Sequence, residues 1–288
     1  MPGLQPQPFT YAGSDGLPLA GADWNPPGAT GLPLVCLPGM TRCTRDFADL
    51  AAALVARGRR VIALDLRGRG RSSFAPVETY TPAVEAADVR LALKHLGLPR
   101  AAFLGTSRGG LVMMTLSLVA PELIAAAILN DIGPVIEHAG LVRIAGYIGR
   151  PLPASWPAAV AALKAGQGAL FPALDAAGWE RYARQIYRDD NGVPANDYDS
   201  ALEVAFGAFD PKAHVPDFWP GFDALAAVPV LSVHGALSDI LSPATVAAMA
   251  ARHPGLEAIT VASEGHAPLL WDEETQSRIA AFLAVHAG

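Results

Sequence analysis

The chain has 288 residues, of which 51% are hydrophobic and only 17% are charged. This length and composition can fill a large core, and they exclude an intrinsically disordered chain. The formal net charge is −6 and no basic patch or tail stands out, so no nucleic-acid partner is predicted. The longest apolar stretch, Gly109 to Pro121, falls short of the roughly 20 residues of a membrane span, so no membrane partner is predicted either.

The N-terminus and the cysteines bear on the cellular compartment. Residues 1–16 contain no lysine or arginine and no apolar run, so no signal peptide is predicted. The two cysteines, Cys36 and Cys43, do not form a Cys-x-x-Cys pair, and we expect free thiols in a reducing cytoplasm. The sequence contains no phosphate-binding loop, dinucleotide fingerprint or His-Glu-x-x-His zinc motif, so no cofactor is predicted.

Short apolar runs alternate with helical patterns along the first half of the chain. An antiparallel hairpin around Ser14-Asp15-Gly16 is predicted to come first. Strands are then predicted at 34–37, 61–64, 101–104 and 125–129, and helices at 47–56, 82–96 and 109–119. Because these strands are apolar throughout, they are typical of a parallel sheet with helices on both faces.

This alternation stops at Pro134 and resumes at Val228. Strands are predicted again at 230–233 and 258–261, and helices at 243–252 and 272–285. The segment between is rich in proline, glycine, alanine and aromatic residues, with helical pieces but no convincing core strand, and it is too long for an ordinary loop. We therefore predict one α/β core made of residues 1–133 and 217–288, with a helical cap at 134–216. No internal repeat is evident.

The strongest local motif is Gly105-Thr106-Ser107-Arg108-Gly109, which fits the Gly-x-Ser-x-Gly pattern. An apolar strand runs into it and an apolar helix leaves it, which is the setting of a nucleophile elbow. Such a turn presents the serine oxygen at the carboxyl edge of the sheet, above a helix N-terminus that favours negative charge. The alternative is a glycine-rich turn with an incidental serine, but the context favours Ser107 as a nucleophile.

A serine nucleophile needs a base and an acid that orients the base. Among the seven histidines, His266 follows the last predicted strand in a loop bracketed by Gly265 and Pro268, at the same sheet edge as the serine. Asp239 and Asp131 each follow a predicted strand, and both are topologically feasible acids. We favour Asp239, and the order Ser107, Asp239, His266 matches the serine–acid–histidine order expected for this fold.

Five motifs resemble those of the α/β-hydrolase superfamily over nearly the whole chain. They are Pro38-Gly39-Met40, Asp65-Leu-Arg-Gly-Arg-Gly-Arg-Ser72, Gly105-Thr-Ser-Arg-Gly109, Gly235-Ala-Leu-Ser-Asp239 and Gly265-His266. The subgroup resembled is the capped esterases, lactonases and carbon–carbon bond hydrolases, including 3-oxoadipate enol-lactonase-like proteins. The resemblance implies an oxyanion hole built from the backbone N–H groups of Met40 and Arg108, roofed by the cap. Many members have His-Gly in place of Pro38-Gly39, which weakens the transfer of any particular substrate.

The expected function is hydrolysis of a carboxylic ester or lactone, a small acyl substrate, through an acyl-enzyme. Hydrolysis of a thioester or a carbon–carbon bond on the same three residues is the alternative reaction. A ligand-binding receptor with slow turnover is the alternative class of protein, since a fold does not dictate a function. No oligomeric state is predicted.

Other residues have two interpretations each. The side chain of Arg108 either attracts an acidic substrate or leaves the site in an ion pair. Three arginines, 67, 69 and 71, are interpreted as surface and loop-packing residues rather than an anion site. The aromatic residues of the cap line an acyl pocket or build the cap's own core. These are Tyr147, Trp156, Trp179, Tyr182, Phe206 and Phe209.

Overall fold

The computed structural model describes residues 4–207 and 217–288. Its strands, in chain order, are β1 (Gln7–Ala12), β2 (Pro18–Trp24), β3 (Leu34–Leu37), β4 (Val61–Asp65), β5 (Ala101–Thr106), β6 (Ile124–Asn130), β7 (Arg188–Asp190), β8 (Val193–Ala195), β9 (Val230–Gly235) and β10 (Leu256–Val261). All except β7 and β8 form one eight-stranded sheet in the order β1-β2-β4-β3-β5-β6-β9-β10. The hairpin β1–β2 and the pair β2–β4 are antiparallel, and every pairing from β4 to β10 is parallel. The mostly parallel sheet is therefore confirmed.

The helices include several that begin after a capping side chain. They are α1 (Ala48–Val55), α2 (Pro82–His95), α3 (Arg108–Val119), α4 (His138–Ala145), α5 (Trp156–Gln167), α6 (Ala176–Ile186), α7 (Ala201–Gly207), α8 (Trp219–Asp223), α9 (Pro243–Arg252) and α10 (Glu273–His286). Thr81, Ser242 and Asp272 each accept a hydrogen bond from the backbone three residues on, at the start of α2, α9 and α10. A proline at the first position of α2 and α9 fits the missing N–H of a helix start.

Both faces of the sheet are covered, because successive strand side chains point to opposite sides. Val35 and Leu37 pack in a cluster with α2, α3, α8 and α9, whereas Leu34 and Cys36 pack with α1 and α10. The predicted helices on both faces are therefore confirmed. Cys36 and Cys43 are buried free thiols, and burial raises the pKa of each. Within the described ranges, no helix is long and apolar enough to cross a membrane.

The chain between β6 and β9 contains α4 to α8 and a short hairpin, β7–β8, that is separate from the main sheet. Residues of α5, α6, the loop between them and the loop before α10 share an apolar cluster of their own, which includes Phe171, Trp179 and Leu269. This part of the chain is held to the loop after β4 by backbone hydrogen bonds from Gly70 N to Asp197 O and from Asp199 N to Gly68 O, both 2.7 Å. The last nine residues of the predicted cap, 208–216, lie outside the described residues, and the cap boundaries remain a prediction.

The placement of the three arginines after β4 corrects one expectation. Arg67 and Arg69 are completely buried, whereas the side chain of Arg71 is 52% exposed. Surface placement was therefore wrong for the first two. Their burial is tolerated because each guanidinium meets a buried carboxylate on α2, Asp88 for Arg67 and Glu85 for Arg69.

Candidate active site

Ser107 occupies a sharp turn between β5 and α3, with φ of 50° and ψ of −114°. A positive φ is costly for a serine and persists only where the surroundings impose it. Gly105 and Gly109 permit the turn: a Cβ on Gly105 would lie 2.5 Å from the nitrogen of Gly110, and one on Gly109 would overlap the carbonyl oxygen of Leu37. The predicted elbow geometry is thus present, with the serine at the carboxyl edge of the sheet.

His266 comes to this edge on the loop that follows β10. Its Nε2 lies 2.9 Å from Ser107 Oγ, and its Nδ1 lies 2.8 Å from an oxygen of Asp131. With the proton on Nδ1, the ring donates to the Asp131 carboxylate and accepts the serine hydroxyl through Nε2. The three side chains therefore form one continuous row of hydrogen bonds, and that of Asp131 is completely buried.

Asp131 is held in one orientation by hydrogen bonds to β9 and to the loop that follows it. It follows β6 directly, and its own N–H donates to Val233 O at 2.7 Å. One carboxylate oxygen accepts the N–H of Gly235 at 2.8 Å, and the other accepts the hydroxyl of Ser238 at 2.6 Å besides the histidine. Donors of this kind stabilise a buried carboxylate and hold it in one orientation.

Asp239, the acid favoured by the sequence, forms no hydrogen bond with His266. It forms a bidentate ion pair with Arg143 on α4, with N–O distances of 2.5 and 2.8 Å. Burial by itself would raise the pKa of Asp239, but the Arg143 guanidinium lowers it below the ordinary value. The expectation is corrected because the loop after β9 turns Ser238 toward Asp131 and Asp239 toward α4.

The oxyanion-hole residues inferred from the resemblance lie beside the serine. Met40 follows Gly39, whose position is so close that an added Cβ would lie 3.9 Å from Ser107 Cβ. Arg108 is the first residue of α3. Across residues 4–207 and 217–288, the backbone N–H groups of Met40 and Arg108 donate to no protein acceptor, so both are free to bind a negatively charged oxygen.

The side chain of Arg108 leaves the site. Its Nε donates to Glu85 at 2.7 Å and its Nη2 donates to the carbonyl of Tyr80 at 2.8 Å. Of the two interpretations, the ion-paired arginine is therefore the one present, and this cation is not available to a substrate.

A cavity of about 310 Å³ opens above Ser107, His266 and Met40. Tyr147 and Tyr182, two of the predicted aromatic residues, line it. Trp156 and Trp179 instead belong to the apolar cluster of α5 and α6. Phe209 and the side chain of Phe206 lie outside what the structure describes. Sequence reasoning missed two further tyrosines of the wall, Tyr187 and Tyr198, because no motif marks them.

Three arginines also line the cavity, namely Arg42, Arg143 and Arg150. Arg42 pairs with Asp46 in a bidentate contact, and Arg143 pairs with Asp239. Arg150 makes no ion pair with any carboxylate in the described part of the chain. Among all the residues that the structure describes, no three His, Cys, Asp or Glu side chains are grouped so that they could hold a metal ion.

Comparison with known proteins agrees with this fold. A family model described as the alpha/beta hydrolase fold matches residues 33–273. The chain belongs to this family, and the hydrolases among its relatives make it an enzyme of the α/β-hydrolase type.

Two similar proteins extend over most of the chain. The 3-hydroxybutyrate-oligomer hydrolase of Cupriavidus necator is 32% identical over 88% of this chain and 88% of its own length. The crystal structure of an alpha/beta hydrolase from Novosphingobium aromaticivorans is 38% identical, with a TM-score of 0.88 over 97% of this chain and 98% of that one. A third relative, the sn-1-specific diacylglycerol lipase of Danio rerio, is 35% identical but matches only 37% of this chain and 33% of its own length.

Proposed function

We propose that this protein is a serine esterase that cleaves short carboxylic esters through an acyl-enzyme intermediate. The observation that carries the proposal is the row of hydrogen bonds from Ser107 through His266 to Asp131, together with the cavity that Ser107 and His266 line. A serine hydroxyl becomes a nucleophile when an oriented histidine takes its proton, and this row supplies both the base and its orienting acid.

In the proposed reaction, Ser107 Oγ attacks the ester carbonyl carbon while its proton passes to His266 Nε2. The imidazolium is stabilised by Asp131 through Nδ1–H, and the carbonyl oxygen, now negative, accepts the N–H groups of Met40 and Arg108. His266 then protonates the departing alcohol. A water molecule, deprotonated by the same Nε2, attacks the acyl-serine and releases the acid. One oxyanion donor of this kind contributes about 3 to 4 kcal/mol to transition-state stabilisation in a well-studied protease.

For the substrate, we propose a short open-chain ester that carries a carboxylate, such as a dimer or trimer of 3-hydroxybutyrate. The relative that matches over most of the chain is named for hydrolysis of such oligomers. An oligomer of a hydroxy acid has internal esters and a free carboxylate at one end, and Arg150 offers that carboxylate a cation on the cavity wall. At about 310 Å³, the cavity lies at the small end of ligand sites, which favours a short oligomer.

The test is turnover of a substrate panel by the purified protein. The panel contains 3-hydroxybutyrate dimer and trimer, the methyl ester of the dimer, p-nitrophenyl butyrate, a lactone and an acyl thioester. We expect the highest kcat/KM for the dimer or trimer and measurable turnover of the activated ester. Absence of turnover of every ester, or turnover of the thioester alone, would contradict the proposed function. Greatest activity on the lactone would contradict only the substrate class.

The role assigned to Arg150 gives a separate prediction. Arg150→Ala is expected to raise KM for the 3-hydroxybutyrate dimer about tenfold, equivalent to about 1.4 kcal/mol, with little change in kcat. This free-energy change is at the low end for a hydrogen bond to a charged group because Arg150 is exposed. The difference in KM between the variant and the unmodified protein should shrink at high salt. KM for the methyl ester of the dimer, which lacks the carboxylate, should not change.

The matched control is Lys164→Ala, which removes the same charge from an exposed position on α5 that does not line the cavity. It should leave KM for both substrates unchanged. Equal KM increases for the dimer and its methyl ester in the Arg150 variant would remove Arg150 from carboxylate recognition.

A further inference from the structure

A buried row of three charged side chains lies behind the candidate oxyanion hole. Glu85, on α2, has no exposed surface. One of its carboxylate oxygens accepts Arg69 Nη1 at 2.8 Å, and the other accepts Arg108 Nε at 2.7 Å. Arg69 is also completely buried, and the side chain of Arg108 is 10% exposed. Such a group is costly to bury unless all its members are paired, as they are here.

This row fixes the two residues that supply the oxyanion N–H groups, Met40 at one end and Arg108 at the other. Arg69 Nε donates to the carbonyl of Met40 at 2.7 Å, and Arg69 Nη2 lies 3.4 Å from the sulfur of Met40. Met40 is thus fixed through its main chain and its side chain. At the other end, the Arg108 guanidinium donates to Glu85 and to the carbonyl of Tyr80, which fixes the residue that begins α3.

We infer that Glu85 is a positioning residue for the oxyanion hole. Its two carboxylate oxygens connect, through Arg69 and Arg108, the two backbone donors that must bind one oxygen together. Met40 lies in a loop outside any helix or strand, so its N–H direction depends on such contacts. Oxyanion donors act because they are held in place before the reaction, and a misplacement of about 1 Å can cost about 10²-fold in rate. This inference rests on the proposed serine mechanism.

The chain contains a matched control for this role. Asp88 lies on the same helix as Glu85, is 2% exposed, and pairs with the completely buried Arg67 at 2.8 and 3.0 Å. Its other partner is Ser14, in the turn of the first hairpin. Neutralising either carboxylate weakens the pairing of a buried arginine, although Arg67 keeps an ion pair with Asp15. Of the two carboxylates, only Glu85 contacts Arg69, which holds Met40, and Arg108 itself.

The experiment compares Glu85→Gln with Asp88→Asn at a temperature where both are folded, as measured by circular dichroism. We expect Glu85→Gln to lower kcat on p-nitrophenyl butyrate about 10²-fold with KM changed by less than about threefold. Inhibition by butylboronic acid should weaken by a similar factor, because its tetrahedral adduct with the serine places an oxygen among the same donors. Asp88→Asn should keep kcat and boronic-acid affinity within about threefold of the unmodified protein, since it disturbs no oxyanion donor.

A second variant covers the case in which Glu85→Gln does not fold. Arg69→Lys keeps the cation beside Glu85 but loses the fork that reaches Met40, and it should show the same selective loss of kcat and of boronic-acid affinity. The inference would be overturned if the Glu85 and Asp88 variants lost kcat equally, or if the Glu85 variant showed only an increase in KM. Failure of the proposed function is distinct, because the unmodified protein would then turn over no ester or would turn it over equally well without Ser107.

Discussion

Replacement of Ser107 by alanine is expected to lower kcat on p-nitrophenyl butyrate by about 10⁴-fold or more, with the protein still folded. The hydroxyl oxygen is the atom that would form the acyl-enzyme. Within the part of the chain that the structure describes, the side chain makes one hydrogen bond, to His266. Alanine keeps the Cβ of the turn, so the loss of that bond should change the free energy of unfolding by only about 1 kcal/mol. Steady-state kinetics and thermal unfolding measure the two quantities separately.

Ser117→Ala is the control for this substitution. Ser117 lies on the same helix as the elbow, is buried, and donates to the carbonyl oxygens of Met114 and Gly221. Its loss should also cost about 1 kcal/mol in unfolding free energy, without a loss of kcat. Undiminished turnover in the Ser107 variant would exclude the serine mechanism.

A fluorophosphonate probe, followed by mass spectrometry, separates the proposed enzyme from a receptor built on the same three residues. The probe should modify the protein at Ser107 and leave the Ser107→Ala variant unmodified. Modification at Ser107, together with multiple turnovers of an ester by the unlabelled protein, supports the esterase. Modification without multiple turnovers on any member of the substrate panel would instead support the slow-turnover receptor.

Asp131→Asn is expected to lower kcat by about 10⁴-fold, the size of effect seen when the equivalent acid of a serine protease becomes an amide. The carboxylate accepts the Nδ1–H of His266 at 2.8 Å and so keeps Nε2 free to take the serine proton. An amide that turns its own N–H groups toward Nδ1 favours the opposite tautomer, with the proton on Nε2. The pH profile of kcat/KM in the variant measures whether the base is still present.

Asp239→Asn is the matched comparison, since it makes the same chemical change on the neighbouring loop. Its partner is Arg143, and the two side chains are 25% and 22% exposed, so we expect a loss of about 1 kcal/mol in stability and a change in kcat of less than about threefold. If the Asp239 variant is inactive and the Asp131 variant is active, Asp131 is not the orienting acid.

The stability loss of Asp239→Asn should also depend on pH. The Arg143 guanidinium lowers the pKa of Asp239 in the folded protein, against the opposing effect of burial. A carboxylate with a lowered folded-state pKa stabilises the protein above its unfolded pKa, and this stabilisation is lost as the pH falls through the folded-state value. The variant and the unmodified protein should therefore differ at pH 7 and converge in acid, below the ordinary aspartate pKa of about 4. Urea unfolding of both proteins, at pH 7 and at a pH below about 4, measures this difference in stability.

Features that depend on short-range patterns were readable from the sequence. Each predicted core strand formed. Except for β10, which lies at the edge of the sheet, these strands are buried, and a short apolar run buried on both faces is typical of a parallel sheet. The elbow was equally readable, since its glycines lie two residues on either side of Ser107. A side chain on Gly105 would overlap the backbone of α3, and one on Gly109 would overlap the neighbouring strand β3. The candidate base was identifiable because His266 lies in the loop that follows the last strand.

The choice of acid was different, because it depends on which strands are neighbours. β6 lies between β5 and β9 in the sheet, so the residue after β6 stands beside both the elbow and the loop that carries Asp239. Nothing in the one-dimensional pattern specifies that order, or the turn that directs Asp239 to Arg143. The buried partners of Arg67 and Arg69 were missed for the same reason, since a run of glycines and arginines is also typical of an exposed loop.

The sequence by itself therefore determined the core strands, the elbow at Ser107 and the location of the candidate base, since backbone sterics and local burial act over a few residues. Only the tertiary structure decided that Asp131 meets His266, that Glu85 connects Arg69 to Arg108, and that Arg150 lines the cavity. Those contacts join side chains 16 to 135 positions apart, or a side chain to a cavity formed by several segments. Hydrogen bonds and ion pairs act over a few ångströms in space, and no local pattern in the chain records which distant groups the fold brings within that distance.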